Sequence, residues 1–261
     1  MVSGRNLRAF GAGGIVGALG GLIGLGGAEF RLPLLIGPFG FAALEAVILN
    51  KAMSLVVVLF SLFFRTGTVP LDSVASHWAI IVNLLAGSLL GAWFGASWAT
   101  RLRSELLYKV IAVLLVVIAA VLLIGHGARS DGAILDGFAQ MFAGIVAGFA
   151  IGVVASLLGV AGGELLIPTL ILLFGVEIKL AGSLSLAVSL PTMIVGFTRY
   201  SRDQSFAVLT RNRTFMFVMA AGSIVGAFVG GLLLGVVPEV VLLPVLAAIL
   251  VVSAIKVWRH K

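Results

Sequence analysis

The sequence predicts an all-α polytopic membrane protein made of two inverted repeats. Three observations predict it: an apolar excess, an ungapped internal repeat, and the placement of the basic residues. Of 261 residues, 61% are apolar and 10% are charged, against about 45–50% and about 25% in soluble domains. So few charges cannot cover an aqueous surface, and a soluble globular fold is excluded. Intrinsic disorder falls with it, as does a disulfide-stapled secreted domain in a chain with no cysteine.

The repeat has an offset of 135 residues. GLIGLGGAEFRLPLLIGPFG (21–40) lies over SLLGVAGGELLIPTLILLFG (156–175), with Gly24/Gly159, Gly27/Gly162, Glu29/Glu164, Pro33/Pro168 and Gly40/Gly175 identical. Further on, AGSLLGAWFG (86–95) lies over AGSIVGAFVG (221–230). The chain divides into a first transmembrane repeat at 1–125, a polar extracytoplasmic linker at 126–135 and a second repeat at 136–261.

Each half opens with a glycine-rich apolar arm, 9–25 or 138–160. Gly26–Gly27 and Gly162–Gly163 are expected to end that arm, and Pro33 or Pro168 to stand in the first turn of a short second arm. Three long apolar segments complete each half: 43–64, 78–99 and 106–124, then 179–198, 214–235 and 238–257. Each can span a bilayer, so plain hydropathy counts eight hydrophobic segments. Trp78 and Trp98 bracket one of them as interfacial anchors.

Charge decides how the broken arms run. If each pair of arms were a full crossing, the halves would be parallel and the basic loops 101–109 and 199–213 would face opposite sides. If each pair is a re-entrant hairpin, each half crosses three times and the halves are inverted. The N-terminus, both basic loops and the C-terminus then share one side with 12 Lys and Arg. The opposite loops carry Arg65 and Arg129 beside Asp72, Asp131, Asp136 and Glu239. The positive-inside rule selects the hairpins, with both termini cytoplasmic, while the much longer first arm leaves a crossing with a mid-membrane break as the alternative. Basic residues gathered at segment ends also make a nucleic-acid partner untenable despite the net charge of +7.

No enzyme constellation is present. His77, His126 and His260 stand singly at segment ends, without metal-ligand spacing. There is no P-loop, zinc pair or nucleophile elbow, so neither a metal nor a cofactor is expected. The ladders Gly87, Gly91, Gly95 and Gly222, Gly226, Gly230 strip one helix face for close packing.

The broken arms carry the functional signal. Unwound backbone at membrane depth is tolerated only beside protein or a wet cavity. The N-terminus of each short arm offers free N–H groups to an anion, and two inverted hairpins aim both ends at one midplane site. The backbone around Gly27, Pro33, Gly162 and Pro168 is therefore expected to line it. Asn50 and Ser54 share a helical face, as do their offset partners Ser185 and Ser189. Lys51, opposite Leu186 in the second half, is an intramembrane cation and a site residue by default. Its bland alternatives are snorkelling to the interface or pairing with Glu29. Arg31, which stands where the second half has Leu166, pairs with Glu29 or faces the substrate. Glu29 and Glu164 either couple transport to protons or cap the short-arm N–H groups.

At these residues the chain resembles the TauE/SafE family of sulfite and organosulfonate exporters. The doubled Gly-x-Gly-Gly-x(5)-Pro-x-Leu pattern carries the resemblance, with the polar Asn-Lys column after it. The family commonly reads Thr-Asn-Lys where this chain has Leu49-Asn50-Lys51. It commonly reads Gly-Thr-Ser-Leu-Ala where this chain has Ser183-Leu184-Ser185-Leu186-Ala187. Loss of both threonines, and a Glu in each turn, mark a divergent member. The resemblance implies export of sulfite, sulfoacetate or a related small anion across the bacterial inner membrane, driven by the proton gradient. A passive anion channel and a non-transporting membrane subunit are the competing classes. The expected partners are the anion, the proton and membrane lipid, and a homodimer is compatible with the sequence.

Overall fold

The computed structural model describes residues 4–22, 27–65, 69–125, 133–232 and 239–260. Gly24, Gly26, His126, Arg129, Asp131, Lys261 and most of the predicted linker lie outside the described residues. The described chain is helical, with no strand. In the first half α1 (Gly4–Leu22) and α2 (Ala28–Ile36) precede α3 (Ala43–Arg65), a short α4 (Leu71–Ala75), α5 (Trp78–Ala99) and α6 (Ser104–Gly125). In the second, α7 (Gly137–Leu158) and α8 (Gly163–Phe174) precede α9 (Ile178–Tyr200), a short α10 (Val208–Arg211), α11 (Arg213–Leu232) and α12 (Glu239–Trp258). α4, α10 and the 3₁₀ turn Gln204–Ala207 were not anticipated; they fill the inter-span loops.

Among the described residues, six helices are long and apolar enough to cross a membrane, the segments lying at 43–61, 78–99, 104–121, 137–158, 178–200 and 213–230. The set includes α7, read from sequence as a re-entrant arm. Length alone would thus make α7 a crossing. Its neighbour contradicts that: Ile134 N–H donates to Leu172 O at 3.1 Å and Gln140 Nε2 donates to Leu173 O at 2.8 Å. The end of α8 lies beside the start of α7, so the pair folds back as a hairpin. The first pair does the same, with Arg5 at the start of α1 over the ring of Phe41 just past α2.

The two hairpins open at opposite ends of the molecule. At the first hairpin's end, Arg5 donates to Asn212, Arg211 pairs with Glu45, and Tyr108 packs edge-on against His260. Arg199 Nε donates to Ser97 Oγ at 2.7 Å, which brings the ends of α5 and α9 to the same place. The N-terminal, 101–109, 199–213 and C-terminal basic groups therefore gather at one end. At the other end Asn83 Nδ2 donates to Met141 O at 2.9 Å, beside the open second hairpin. Lys179, at the start of α9, is a cation at this end that the loop count passed over. Trp78 and Trp98, at the two ends of α5, are 65% and 41% exposed.

The glycine ladders cross between the halves. A Cβ at Gly87 or Gly91 would strike the carbonyl oxygens of Ile145 and Phe149 on α7. A Cβ at Gly222 or Gly226 would strike those of Phe10 and Gly14 on α1. These contacts correspond residue for residue at the 135-residue offset. Without side chains between them, helix backbones approach closely enough for dispersion to replace the hydrophobic drive that lipid cannot supply.

Candidate functional site between the hairpin tips

The tips are built by glycine. Gly159 (φ 66°) ends α7, and Gly27 (φ 64°) and Gly162 (φ 82°) stand just before α2 and α8, all in the left-handed region. A side chain there would be strained, and one at Gly27 would also meet the Val16 carbonyl. This corrects two expectations. Gly159, not Gly162–Gly163, ends the long arm, and Gly163 already belongs to α8. Pro33 and Pro168 do not open the short helices; both sit inside them, at the sixth residue. There the missing N–H deprives the carbonyls of Glu29 and Glu164 of their helical donor. The free N–H groups of the short helices lie a turn and more before the prolines, beside Gly27 and Gly162.

α3 binds the two tips together. Asn50 Nδ2 donates to Ala28 O at 2.9 Å and to Leu158 O at 3.0 Å, one carbonyl from each hairpin. Lys51 is fully buried and its Nζ donates to Ala155 O at 3.3 Å in the last turn of α7. The negative end of a helix is a favourable seat for a cation. Lys51 therefore neither snorkels to the interface nor needs Glu29 to stay buried. Ser189 Oγ donates to Ala161 O in the second turn at 2.8 Å, whereas Ser185 Oγ turns into its own helix, donating to Gly182 O at 2.9 Å. Ser54 is buried with its hydroxyl unpartnered.

Glu29 and Arg31, one turn of α2, are both fully buried. The Glu29 carboxyl lies within hydrogen-bonding reach of Glu164, its offset partner from the other hairpin, and feels the charge of Arg31. Neither oxygen of Glu29 receives a donor, nor does Glu164 Oε2. Gly27 and Gly162, the residues before the short helices, have no side chain with which to cap them, and neither oxygen of Glu29 takes a first-turn N–H. Two ionised carboxylates offer acceptors only, and their contact becomes a hydrogen bond when one carries a proton. Arg31 is the most exceptional group: Nε, Nη1 and Nη2 are all buried without a hydrogen-bond partner.

Sequence reasoning missed three neighbours. Ser156 lies beside Lys51, as a Cβ built on Gly196 would sit 2.8 Å from Ser156 Oγ and 3.1 Å from Lys51 Nζ. Tyr200 is fully buried and its hydroxyl donates to Ser156 O at 2.9 Å. Ser156 stands within the repeated motif, but its offset partner is Gly21, so no polar column marked it.

Comparison with curated proteins and with solved structures gives no match. The family described as sulfite exporter TauE/SafE matches residues 9–257, nearly the whole chain. With two inverted hairpins meeting at buried charges and a match of that extent, this protein belongs to the TauE/SafE family of membrane sulfite and organosulfonate exporters.

Proposed function

We propose that the protein exports a small sulfur oxyanion, such as sulfite, sulfoacetate or a related organosulfonate, by proton-coupled alternating access. The repeats 1–125 and 136–261 are the units that rock about the hairpin tips. The observation that carries this reading is Arg31, a guanidinium fully buried in α2 with no hydrogen-bond partner, its charge felt by Glu29 in the same turn. An unpaired buried charge is costly, and an anion with several oxygens satisfies a planar fork of donors. Lys51 supplies a second positive charge and Ser54 an unpartnered hydroxyl, while Asn50 and Ser189 spend their donors on tip carbonyls and Ser185 on its own helix, so these three shape the walls of the site. The first-turn N–H groups beside Gly27 and Gly162 complete the anion site. Glu29 touches both charge systems. Proton binding at the Glu29–Glu164 pair is thereby linked to anion binding at Arg31, and such linkage is reciprocal.

The protein lies in the bacterial inner membrane with its basic end in the cytoplasm. Because the chain has no cysteine, single cysteines at positions 103, 130 and 207 test this directly. Impermeant reagent reaches 130 from outside and leaves 103 and 207 unlabelled; the reverse pattern refutes the orientation. Counterflow in proteoliposomes over a panel of sulfur anions tests transport itself. A carrier exchanges labelled for unlabelled anion, a channel only leaks, and a bare subunit does neither.

A further inference from the structure

We infer that the groove between α6 and α12 is a binding site for an anionic phospholipid, with an acyl chain in the groove and the phosphate at Arg259. The groove holds about 530 Å³ and is lined by Ala112, Val113, Val116 and Val117 of α6 and by Ala254, Ile255, Trp258 and Arg259 of α12. Ala112 and Ala254 form a buried floor, while the valines, Ile255 and Trp258 are exposed along its walls. Such a channel on the outside of a membrane-spanning helix pair faces hydrocarbon and suits a chain lying along the helices.

Charge selects the headgroup. Arg259 closes the groove at the basic end, and its guanidinium has no ion pair among the described residues. Lys109 Nζ stands 5.9 Å from the centre of the Trp258 ring, so a second cation flanks the same mouth. Tryptophan beside basic residues is the composition of a cytoplasmic membrane interface, and basic pockets between spans on that side suit anionic headgroups.

The repeat supplies an internal control. At the 135-residue offset the lining residues Ala112, Val116 and Val117 are matched by Ala247, Val251 and Val252. Trp258, Arg259 and Lys109 are matched instead by Leu123, Ile124 and Pro244. The apolar lining is thus common to both halves, whereas the cations and the indole belong to the basic end alone. Helix packing explains the shared part, and the unshared cations place positive charge at the one mouth of the groove that faces anionic headgroups.

The test uses the whole protein in mild detergent and brominated lipids, which quench tryptophan on contact. The signal of Trp258 is obtained by subtracting the Trp258→Phe variant. Brominated phosphatidylglycerol should quench it at about one-tenth the concentration needed of brominated phosphatidylcholine. Arg259→Gln should abolish that preference, and Ala112→Phe, which fills the groove, should abolish quenching by both. Equal quenching by the two lipids, or a preference that survives Arg259→Gln, overturns the assignment. So does a Trp258 that neither lipid reaches in a protein that native mass spectrometry finds dimeric, since a second copy then covers the groove.

Discussion

The two hairpins share a backbone and differ in charge. Both turn through left-handed glycines, both carry a Glu in the first turn of the short helix, and both carry a proline at its sixth residue. Only the first adds Arg31, where the second has Leu166, and only the span after it adds Lys51, where the second has Leu186. The second half contributes the receiving surface: the carbonyls of Ala155 and Leu158 take the side chains of Lys51 and Asn50. The repeat is therefore a symmetric frame for an asymmetric site. One half holds the positive charge and the other holds the carbonyls that steady it.

The sharpest way to break this comparison is to erase the difference. Arg31→Leu gives the first hairpin the residue of the second. If two charge-assisted hydrogen bonds of about 1.5–3 kcal/mol each are lost, sulfite or sulfoacetate binding weakens by at least about two orders of magnitude. Isothermal titration on purified protein measures this, with an unchanged elution profile as the check on folding. Parent-like binding would remove the site from the first hairpin.

Lys51→Met should weaken binding by about one to two orders of magnitude while the protein still folds. Lys51→Arg should rescue it poorly. The ammonium is enclosed by Ala155 O, Ser156 and the bare backbone of Gly196, and a planar fork does not fit where a compact cation does. Full rescue by Arg would mean that charge alone, without shape, is what the position supplies.

Much of this arrangement was legible in the sequence. An ungapped offset fixed which elements correspond, and counting Lys and Arg by side chose inverted hairpins over parallel crossings. The nearness of Glu29 to Glu164 was not legible, because equivalent residues meet only where they lie on the pseudo-twofold axis, and the repeat does not say where that axis runs. The prolines were misread for a local reason. Proline favours a first helical turn, but the left-handed glycines before Ala28 and Gly163 had already started the helices. Side-chain partners were beyond reach. Lys51 and Ala155 are 104 residues apart, and no periodicity or motif says which carbonyl a buried ammonium will find.

Glu29→Gln and Glu164→Gln keep the shape of the paired carboxyls and remove their protons. Each should abolish uptake or efflux driven by an imposed pH gradient and spare anion exchange at equal pH. Measured side by side in proteoliposomes, the two variants ask whether the pair is shared equally. Loss of exchange in both would show that the carboxylates hold the tips in shape and carry no coupling.

The smallest expected effects compare how each half is stitched to the tips. Asn50→Ala removes two hydrogen bonds, to Ala28 O in α2 and to Leu158 O at the end of α7. Ser189→Ala removes one, to Ala161. At about 0.5–1.5 kcal/mol per bond, the first substitution should cost about twice the second, read as unfolding free energy or as the drop in thermal midpoint in detergent. The distinction is structural as well as numerical. Asn50 joins the two hairpins, so its loss loosens the contact about which the halves move, whereas Ser189 fastens α9 to the turn of its own half. Equal costs would show that the carbonyls find other donors once Asn50 is gone, and that tip-to-tip contact rests on the Glu29–Glu164 pair and on apolar packing around Val47, Leu158 and Val160.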